Sequence, residues 1–260
     1  FQDENGEPLQ FFDAVVGGLS VGTPGTPALL EEAHRRWGRS PWPGLFTDGI
    51  RLADDGFLVS PRLASLVANV AERLSRFPAT AEYFLPEGEP LQQGQRLMNP
   101  AYADTLRALA EDGAAGFYGG QIASDIVRTV RTAPGNPGVL SGTDLALYQV
   151  IERDPVCAAY RAYEVCGMGP PSSGALTVGQ ILGMLNSYDL AAMGPESMEA
   201  WRLIGEASRL AFADRGRYMA DSDFVPMPTT GLVDPDYLAQ RAELLNAEGA
   251  LTEVAPGQPE

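Results

Sequence analysis

The sequence contains no lysine, a single histidine (His34) and only two cysteines (Cys157 and Cys166). The absence of lysine excludes a P-loop lysine, a Schiff-base lysine and a Ser–Lys catalytic pair. One histidine leaves a Ser-His-Asp triad a single candidate base. So few histidines and cysteines also exclude the usual transition-metal sites within the chain, and we expect neither a metal nor a cofactor.

Positive charge is scarce as well. Lys+Arg number 18 against 34 Asp+Glu, so the net charge is −16. A surface this acidic repels phosphate backbones and anionic lipids, so we expect no nucleic-acid partner and no membrane partner. No apolar run reaches the ~18 residues of a bilayer-spanning helix, and the first residues lack the apolar core of a signal peptide.

The 260 residues, of which 45% are hydrophobic, predict an ordinary globular chain. We expect a single α+β domain over 1–260, helix-rich at 27–132 and with a hairpin and helices at 143–247. Apolar spacing and cap residues predict helices at 27–37, 43–56, 60–77, 99–112, 117–132, 175–188, 195–220 and 235–247. The tail at 248–260 is rich in Gly, Pro and Glu and is expected to fray.

The segment 148–168 alternates in the manner of a β-hairpin. If it turns on Arg161-Ala162, counting outward by equal steps brings Cys157 opposite Cys166 as a non-hydrogen-bonded pair. A disulfide there would close about ten residues and contribute roughly 2.5–3 kcal/mol. Arg-Ala is a poor type I′ turn, however, so a bulge could shift the register and leave two free thiols.

Other candidate residues favour structural roles. Ser172 and Ser173 lie in a turn before a helix, but Pro-Ser-Ser-Gly is not a G-x-S-x-G elbow, so capping or lining a wall is favoured over nucleophilic attack. The glycine-rich loop at 17–25 matches neither phosphate-loop spacing and indicates a tight turn. His34 has no partner ligand in the sequence, and the Asp54-Asp55 pair is expected to be solvated.

The predicted helix at 195–220 carries charges at helical spacing. Ion pairs along this helix are expected among Glu206, Arg209, Asp214 and Arg217, and pairs that are exposed would each contribute under about 1 kcal/mol.

Several segments, in order along the chain, resemble the large subunit of γ-glutamyltranspeptidases. They lie at 20–26, 34–38, 50–57, 113–120, 144–148, 160–165, 170–174, 212–215 and 218–225. This collinear resemblance is more specific than any one motif. One departure is Ala175, where many members of the family have a glycine.

The resemblance implies an N-terminal-nucleophile hydrolase with a four-layer αββα sandwich, of which this chain is the large-subunit part. The implied partner is a small subunit from the same self-cleaving precursor that begins with threonine. The α-amine of that threonine serves as the base, so no histidine is needed. The implied reaction moves the γ-glutamyl group of a small, glutathione-type substrate to the threonine and then to water, an amino acid or a peptide.

The resemblance assigns no catalytic residue to this chain. The arginine that holds the substrate carboxylate is expected just upstream of Phe1, and Glu260 is expected at or slightly before the cleavage point. The isolated chain is therefore expected to be inactive, and the family suggests a periplasmic or secreted location. Three alternatives stay open: an amidase or acylase for glutaryl- or cephalosporin-type side chains, a non-catalytic scaffold, and an independent hydrolase using Ser172 or Ser173.

Overall fold

The computed structural model describes every residue from Phe1 to Glu260 and divides the chain into two units, Phe1–Val150 and Ile151–Glu260. A single domain over 1–260 stays a prediction.

Helices make up most of the first unit, and they pack beside one short sheet. The helices are α1 (Phe11–Val15), α2 (Thr26–Trp37), α3 (Thr47–Asp55), α4 (Pro61–Asn69), α5 (Ala71–Leu74), α6 (Pro78–Phe84), α7 (Pro100–Asp112), α8 (Ala115–Tyr118), α9 (Gly120–Arg131) and α10 (Gly142–Ala146). Strands β1 (Phe57–Leu58) and β2 (Arg96–Leu97) pair antiparallel, and 3₁₀ turns lie at Trp42–Phe46 and Pro86–Gly88.

A small apolar core holds the middle of this unit together. It consists of Val59, Val67, Leu85, Leu91 and Leu97, all buried. The Ser60 side chain caps α4 by accepting a hydrogen bond from the Leu63 N–H at 3.1 Å, so the helix starts where its Ser-Pro pair predicts.

The helices expected at 60–77 and 117–132 are each divided in two. Val70 leaves helical geometry with φ −123° and ψ 14°, which separates α4 from α5. Gly119 is extended, and Gly120 takes a positive φ of 63°, which separates α8 from α9. The apolar spacing continues through both breaks, and so it predicts one helix where the backbone forms two.

The glycine-rich loop at 17–25 is tight, as predicted. Gly17 has a φ of 136°, and the Gly18 N–H donates to the Asn136 carbonyl at 2.7 Å. A Cβ on Gly18 would overlap the Val130 carbonyl oxygen, so the close approach of two backbones requires glycine there.

The second unit begins with a β-hairpin and continues as helices. Its elements are β3 (Val156–Tyr160), β4 (Tyr163–Gly167), α11 (Gly174–Leu185), α12 (Leu190–Met193), α13 (Met198–Tyr218), α14 (Thr229–Leu232) and α15 (Pro235–Glu243), followed by a 3₁₀ turn at Leu244–Asn246.

Helix α11 contacts both the hairpin and α13, and α15 packs on α11. The core between these helices consists of Met184, Leu185, Leu203, Ala207, Leu210, Ala211, Tyr237, Leu238 and Leu245. At the contact between α11 and β3, an added Cβ on Gly179 would lie 2.9 Å from the Ala158 Cβ, so a glycine lets helix and strand approach closely.

Candidate functional site

A buried carboxylate lies at the centre of the second unit. Asp214 is 1% exposed, and its Oδ2 accepts hydrogen bonds from Gln180 Nε2 at 2.8 Å and from the Tyr237 hydroxyl at 2.7 Å. Its Oδ1 accepts from the Gly257 N–H at 2.7 Å and from Arg241 Nη2 at 3.2 Å. A buried carboxylate is stable only when it is paired and hydrogen-bonded in this way.

Two helices, α11 and α15, and the carboxyl-terminal tail supply these partners. Asp214 follows Leu203, Ala207, Leu210 and Ala211 on the buried face of α13, so the helical period places it in the core. The expectation of ion pairs along α13 is confirmed for Glu206 with Arg209 and is wrong for Asp214, which pairs with Arg241 of α15.

Arg241 links the cluster to two backbone carbonyls. Its Nη2 donates to the Leu210 carbonyl at 3.2 Å and to the Ala255 carbonyl at 3.0 Å. Burial, followed by the hydrogen bond donated to the Asp214 carboxylate, raises the pKa of the Tyr237 hydroxyl above its ordinary value. Tyr237 therefore stays protonated and keeps donating at physiological pH.

The tail does not fray, contrary to expectation. Arg202 Nη1 donates to the Gly249 carbonyl at 3.2 Å, and the Tyr218 hydroxyl donates to the Gly257 carbonyl at 2.6 Å. The rise of α13 from Arg202 to Tyr218 is about 24 Å, and an extended chain from Gly249 to Gly257 spans about 26 Å. The tail thus runs beside α13 in the same direction, with Leu251 and Val254 packed on the core.

The hairpin register is confirmed, with Cys157 opposite Cys166. The two cysteines are joined by a disulfide, with their Cα atoms 4.0 Å apart. Arg161 takes a φ of 55°, and two contacts hold it there: its N–H donates to Asn186 Oδ1 at 2.9 Å and its Nη2 to the Tyr188 carbonyl at 3.2 Å. Tertiary contacts therefore support a turn that Arg-Ala alone disfavours.

Glu164 lies close enough to both cysteine sulfurs to form a three-ligand group with Cys157 and Cys166. Both sulfurs are bonded to each other, so the thiolates that a metal ion needs are not available.

The serines of the following turn make structural contacts. Ser173 Oγ accepts a hydrogen bond from Arg215 Nε at 2.9 Å, and Ser172 Oγ accepts from the Gly174 N–H at 3.3 Å. Neither hydroxyl meets a base through these bonds. Ser173 directly precedes α11, but its side chain makes no capping hydrogen bond, so it does not cap the helix in this way.

In the first unit, His34 is half-buried. Its Nε2 lies 2.8 Å from the Ser40 carbonyl, and its ring packs edge-on against Trp42. Asp54 is not simply solvated, since it forms an ion pair with Arg107 of α7.

A cavity of about 660 Å³ lies in the second unit, between the hairpin, α11 and α15. Ala158, Gly183, Tyr188, Leu238 and Glu243 are among the residues that line it. Its walls are mostly small and apolar, and they include none of the serines or cysteines discussed above.

The chain superposes on the solved γ-glutamyltranspeptidase of Helicobacter pylori with a TM-score of 0.91 and 32% identity, over 99% of this chain and 73% of that one. Its α+β fold is therefore the large-subunit part of an N-terminal-nucleophile hydrolase. The model of the gamma-glutamyltranspeptidase family matches residues 1–259. The chain belongs to this family, as the sequence resemblance predicts.

Two curated relatives give the same picture. The glutathione hydrolase proenzyme of Bacillus subtilis (strain 168) is 35% identical over 259 residues, which are 100% of this chain and 43% of the relative. The acylase ACY 1 proenzyme of Pseudomonas sp. (strain V22) is 36% identical over 236 residues, 91% of this chain and 42% of the relative. The chain thus spans less than half the length of either relative.

The longest helix, α13, is not suited to crossing a lipid bilayer, and neither is any other helix.

Sequence reasoning missed the buried aspartate and the docked tail. The sequence did contain a signal for the buried aspartate, namely a carboxylate within the apolar stripe of α13. A carboxylate at such a position is buried and therefore needs hydrogen-bond or ion-pair partners. The second had no local signal, because the backbone atoms of the tail are bound by side chains 14 to 47 residues away.

Proposed function

We propose that this chain is the large-subunit part of a γ-glutamyltranspeptidase, also called a glutathione hydrolase. The match of the family model over residues 1–259 carries the proposal, and the identity to a glutathione hydrolase proenzyme supports it. The substrate is a small γ-glutamyl compound of the glutathione type. Its γ-glutamyl group is transferred to water, an amino acid or a peptide.

The nucleophile in this proposal is the amino-terminal threonine of a small subunit cut from the same precursor. Its hydroxyl attacks the γ-carbonyl, and the α-amine takes up the hydroxyl proton. The amide C–N bond then breaks, and the leaving amine departs with that proton. The γ-glutamyl ester is then attacked by water or an acceptor amine. This chain supplies no base. That fits the structure, in which the one histidine, His34, is hydrogen-bonded to the Ser40 carbonyl.

The site of action is the periplasm or the cell exterior. A disulfide between the only two cysteines supports this, because such bonds persist in oxidising compartments.

A second candidate is an acylase for glutaryl-type side chains, favoured by the identity to the acylase ACY 1 proenzyme. An assay of the co-expressed precursor with γ-glutamyl-anilide and with glutaryl-anilide distinguishes the two functions, because only the first compound carries an α-amino group. A transpeptidase turns over the γ-glutamyl compound faster, and an acylase turns over the glutaryl compound faster. A precursor that yields no nucleophilic threonine and cleaves neither compound is a scaffold. The large-subunit chain by itself is expected to be inactive toward both compounds.

A further inference from the structure

Asp214 has no step in the proposed reaction, yet it is among the most buried residues of the chain. Besides its three side-chain partners it binds a backbone amide, the N–H of Gly257, 43 residues away. A buried charge that binds a distant piece of main chain fixes the position of that piece. The remaining contacts of the tail serve the same purpose.

The tail is bound mainly through its backbone. Arg209 Nη1 donates to the Leu251 carbonyl at 2.9 Å, and Glu206, itself 5% exposed, orients Arg209 with a 2.8 Å ion pair. The Tyr218 hydroxyl binds the carbonyl of the same Gly257 whose N–H binds Asp214. Contacts to backbone atoms define a path for the tail.

Close packing fixes the tail at two further places. A Cβ on Gly257 would overlap the Tyr237 hydroxyl. A Cβ on Gly231, in α14, would overlap the carbonyl oxygen of Glu260. The tail is therefore held from Gly249, beside Arg202, to Glu260, beside α14.

We propose that Asp214 is a positioning residue for maturation of the precursor: it anchors the tail so that the chain continuing from Glu260 reaches the cleavage groups from a fixed point. This rests on the proposed function, because it requires a precursor that cuts itself. The cut hydrolyses one peptide bond. The C–N bond breaks, water supplies the oxygen of the new carboxylate, and the freed α-amine receives a proton.

The anchor matters because it shortens the tether, which is the free chain between the last held residue and the cleavage point. With the tail docked, Glu260 is held beside α14, whereas an undocked tail is free from Asn246 onward, where the last helical turn ends. The tether then gains about fourteen residues, and effective concentration falls with roughly the −3/2 power of tether length. For a cleavage point a few residues beyond Glu260, this predicts cleavage about tenfold slower.

The test uses the full-length precursor and four variants. Asp214→Ala removes the anchor, and Asp214→Asn restores an oxygen that can accept from Gly257. Tyr218→Phe deletes one bond to the tail. Tyr188→Phe is the matched control, because its hydroxyl binds Asn246, outside the tail. Two quantities are measured: amide hydrogen exchange at 251–257, and the half-time of precursor cleavage.

We expect Asp214→Ala to lengthen the cleavage half-time by up to about tenfold, the value for a fully undocked tail, while kcat/KM per cleaved molecule stays within about twofold of wild type. Asp214→Asn recovers part of the rate. Tyr218→Phe speeds tail exchange about fivefold, as the loss of one hydrogen bond implies, and cleaves at a rate between those of Tyr188→Phe and Asp214→Ala. Tyr188→Phe matches wild type in both measurements.

Two results overturn the proposal while leaving the proposed function intact. One is wild-type cleavage by Asp214→Ala despite a loosened tail, and the other is a loss of kcat/KM as large as the loss of cleavage rate. If Asp214→Ala does not fold, Tyr218→Phe decides, and equal cleavage by Tyr218→Phe and Tyr188→Phe overturns the proposal. A wild-type precursor that never cleaves overturns the proposed function itself.

Discussion

The N–H of Gly257 donates to Asp214 Oδ1 at 2.7 Å, across 43 residues of sequence. This bond makes the carboxyl-terminal tail part of the packed second unit. The tail and α13 are consequently expected to gain and lose structure together.

Replacing Asp214 tests the strength of the buried cluster. Asp214→Ala leaves Arg241 buried without its carboxylate, and removing one partner of a buried ion pair lowers the free energy of unfolding by about 3–5 kcal/mol. Urea denaturation measures the change. Asp236→Ala, at an exposed aspartate near the start of α15, is the control and costs under about 1 kcal/mol. Equal losses in the two variants would contradict the role assigned to the cluster.

Because Cys157 and Cys166 form a disulfide, neither is expected to react with a thiol reagent before reduction. Alkylation of the unfolded protein without reductant should leave the mass unchanged, and alkylation after reduction should add two labels, on Cys157 and Cys166. Replacing both cysteines by serine should lower the free energy of unfolding by about 2.5–3 kcal/mol, the loop-closure contribution for about ten residues. Labelling of either cysteine before reduction would refute the bridge.

Replacing a helical glycine by alanine is expected to change stability in opposite directions at two positions, Gly179 and Gly205. Gly179→Ala places a Cβ 2.9 Å from the Ala158 Cβ, so overpacking should destabilise the protein by about 1–3 kcal/mol. Gly205→Ala, on the exposed face of α13 with open space around it, should stabilise by about 0.5–1 kcal/mol. Thermal melting of both variants checks the pair, and a stabilising Gly179→Ala would show that α11 and β3 are not in close contact.

The free energy of unfolding is expected to fall at alkaline pH because of the buried hydroxyl of Tyr237. The folded state raises the pKa of this hydroxyl above its unfolded value of about 10, so the folded state binds the proton more tightly. Its contribution is fully present below pH ~10 and is lost as the pH rises toward the folded-state pKa, with a slope of up to about 1.4 kcal/mol per pH unit. Urea unfolding between pH 9 and 11 should show this slope in wild type and a shallower one in Tyr237→Phe. Identical slopes would contradict the shift.

The hairpin shows what could be predicted from the sequence. Its register follows from alternation and from two cysteines equidistant from a turn, both of which are local signals. The turn residue itself was the weak point, because Arg161 reaches its positive φ with help from Asn186 and Tyr188, 25 and 27 residues away. Local propensity carries no information about such contacts.

The candidate site was harder to predict for the same reason. Helical spacing places Asp214 near Arg217 on its own helix, and the preference for Arg241 arises only when α13 and α15 both pack on α11. The composition of the tail indicates disorder, yet its backbone atoms find partners on a helix that precedes it. Catalytic residues were assigned to another chain on family resemblance alone, and that assignment remains a proposal.

The central claim is that these residues form the large-subunit part of a self-processing γ-glutamyltranspeptidase. Amino-terminal sequencing of the second chain, released from the full-length precursor, tests it most directly. The claim predicts a threonine at position one of that chain, which becomes γ-glutamylated when a γ-glutamyl-anilide is added. An uncut precursor, or a second chain that begins with a residue lacking a hydroxyl or thiol, would contradict it.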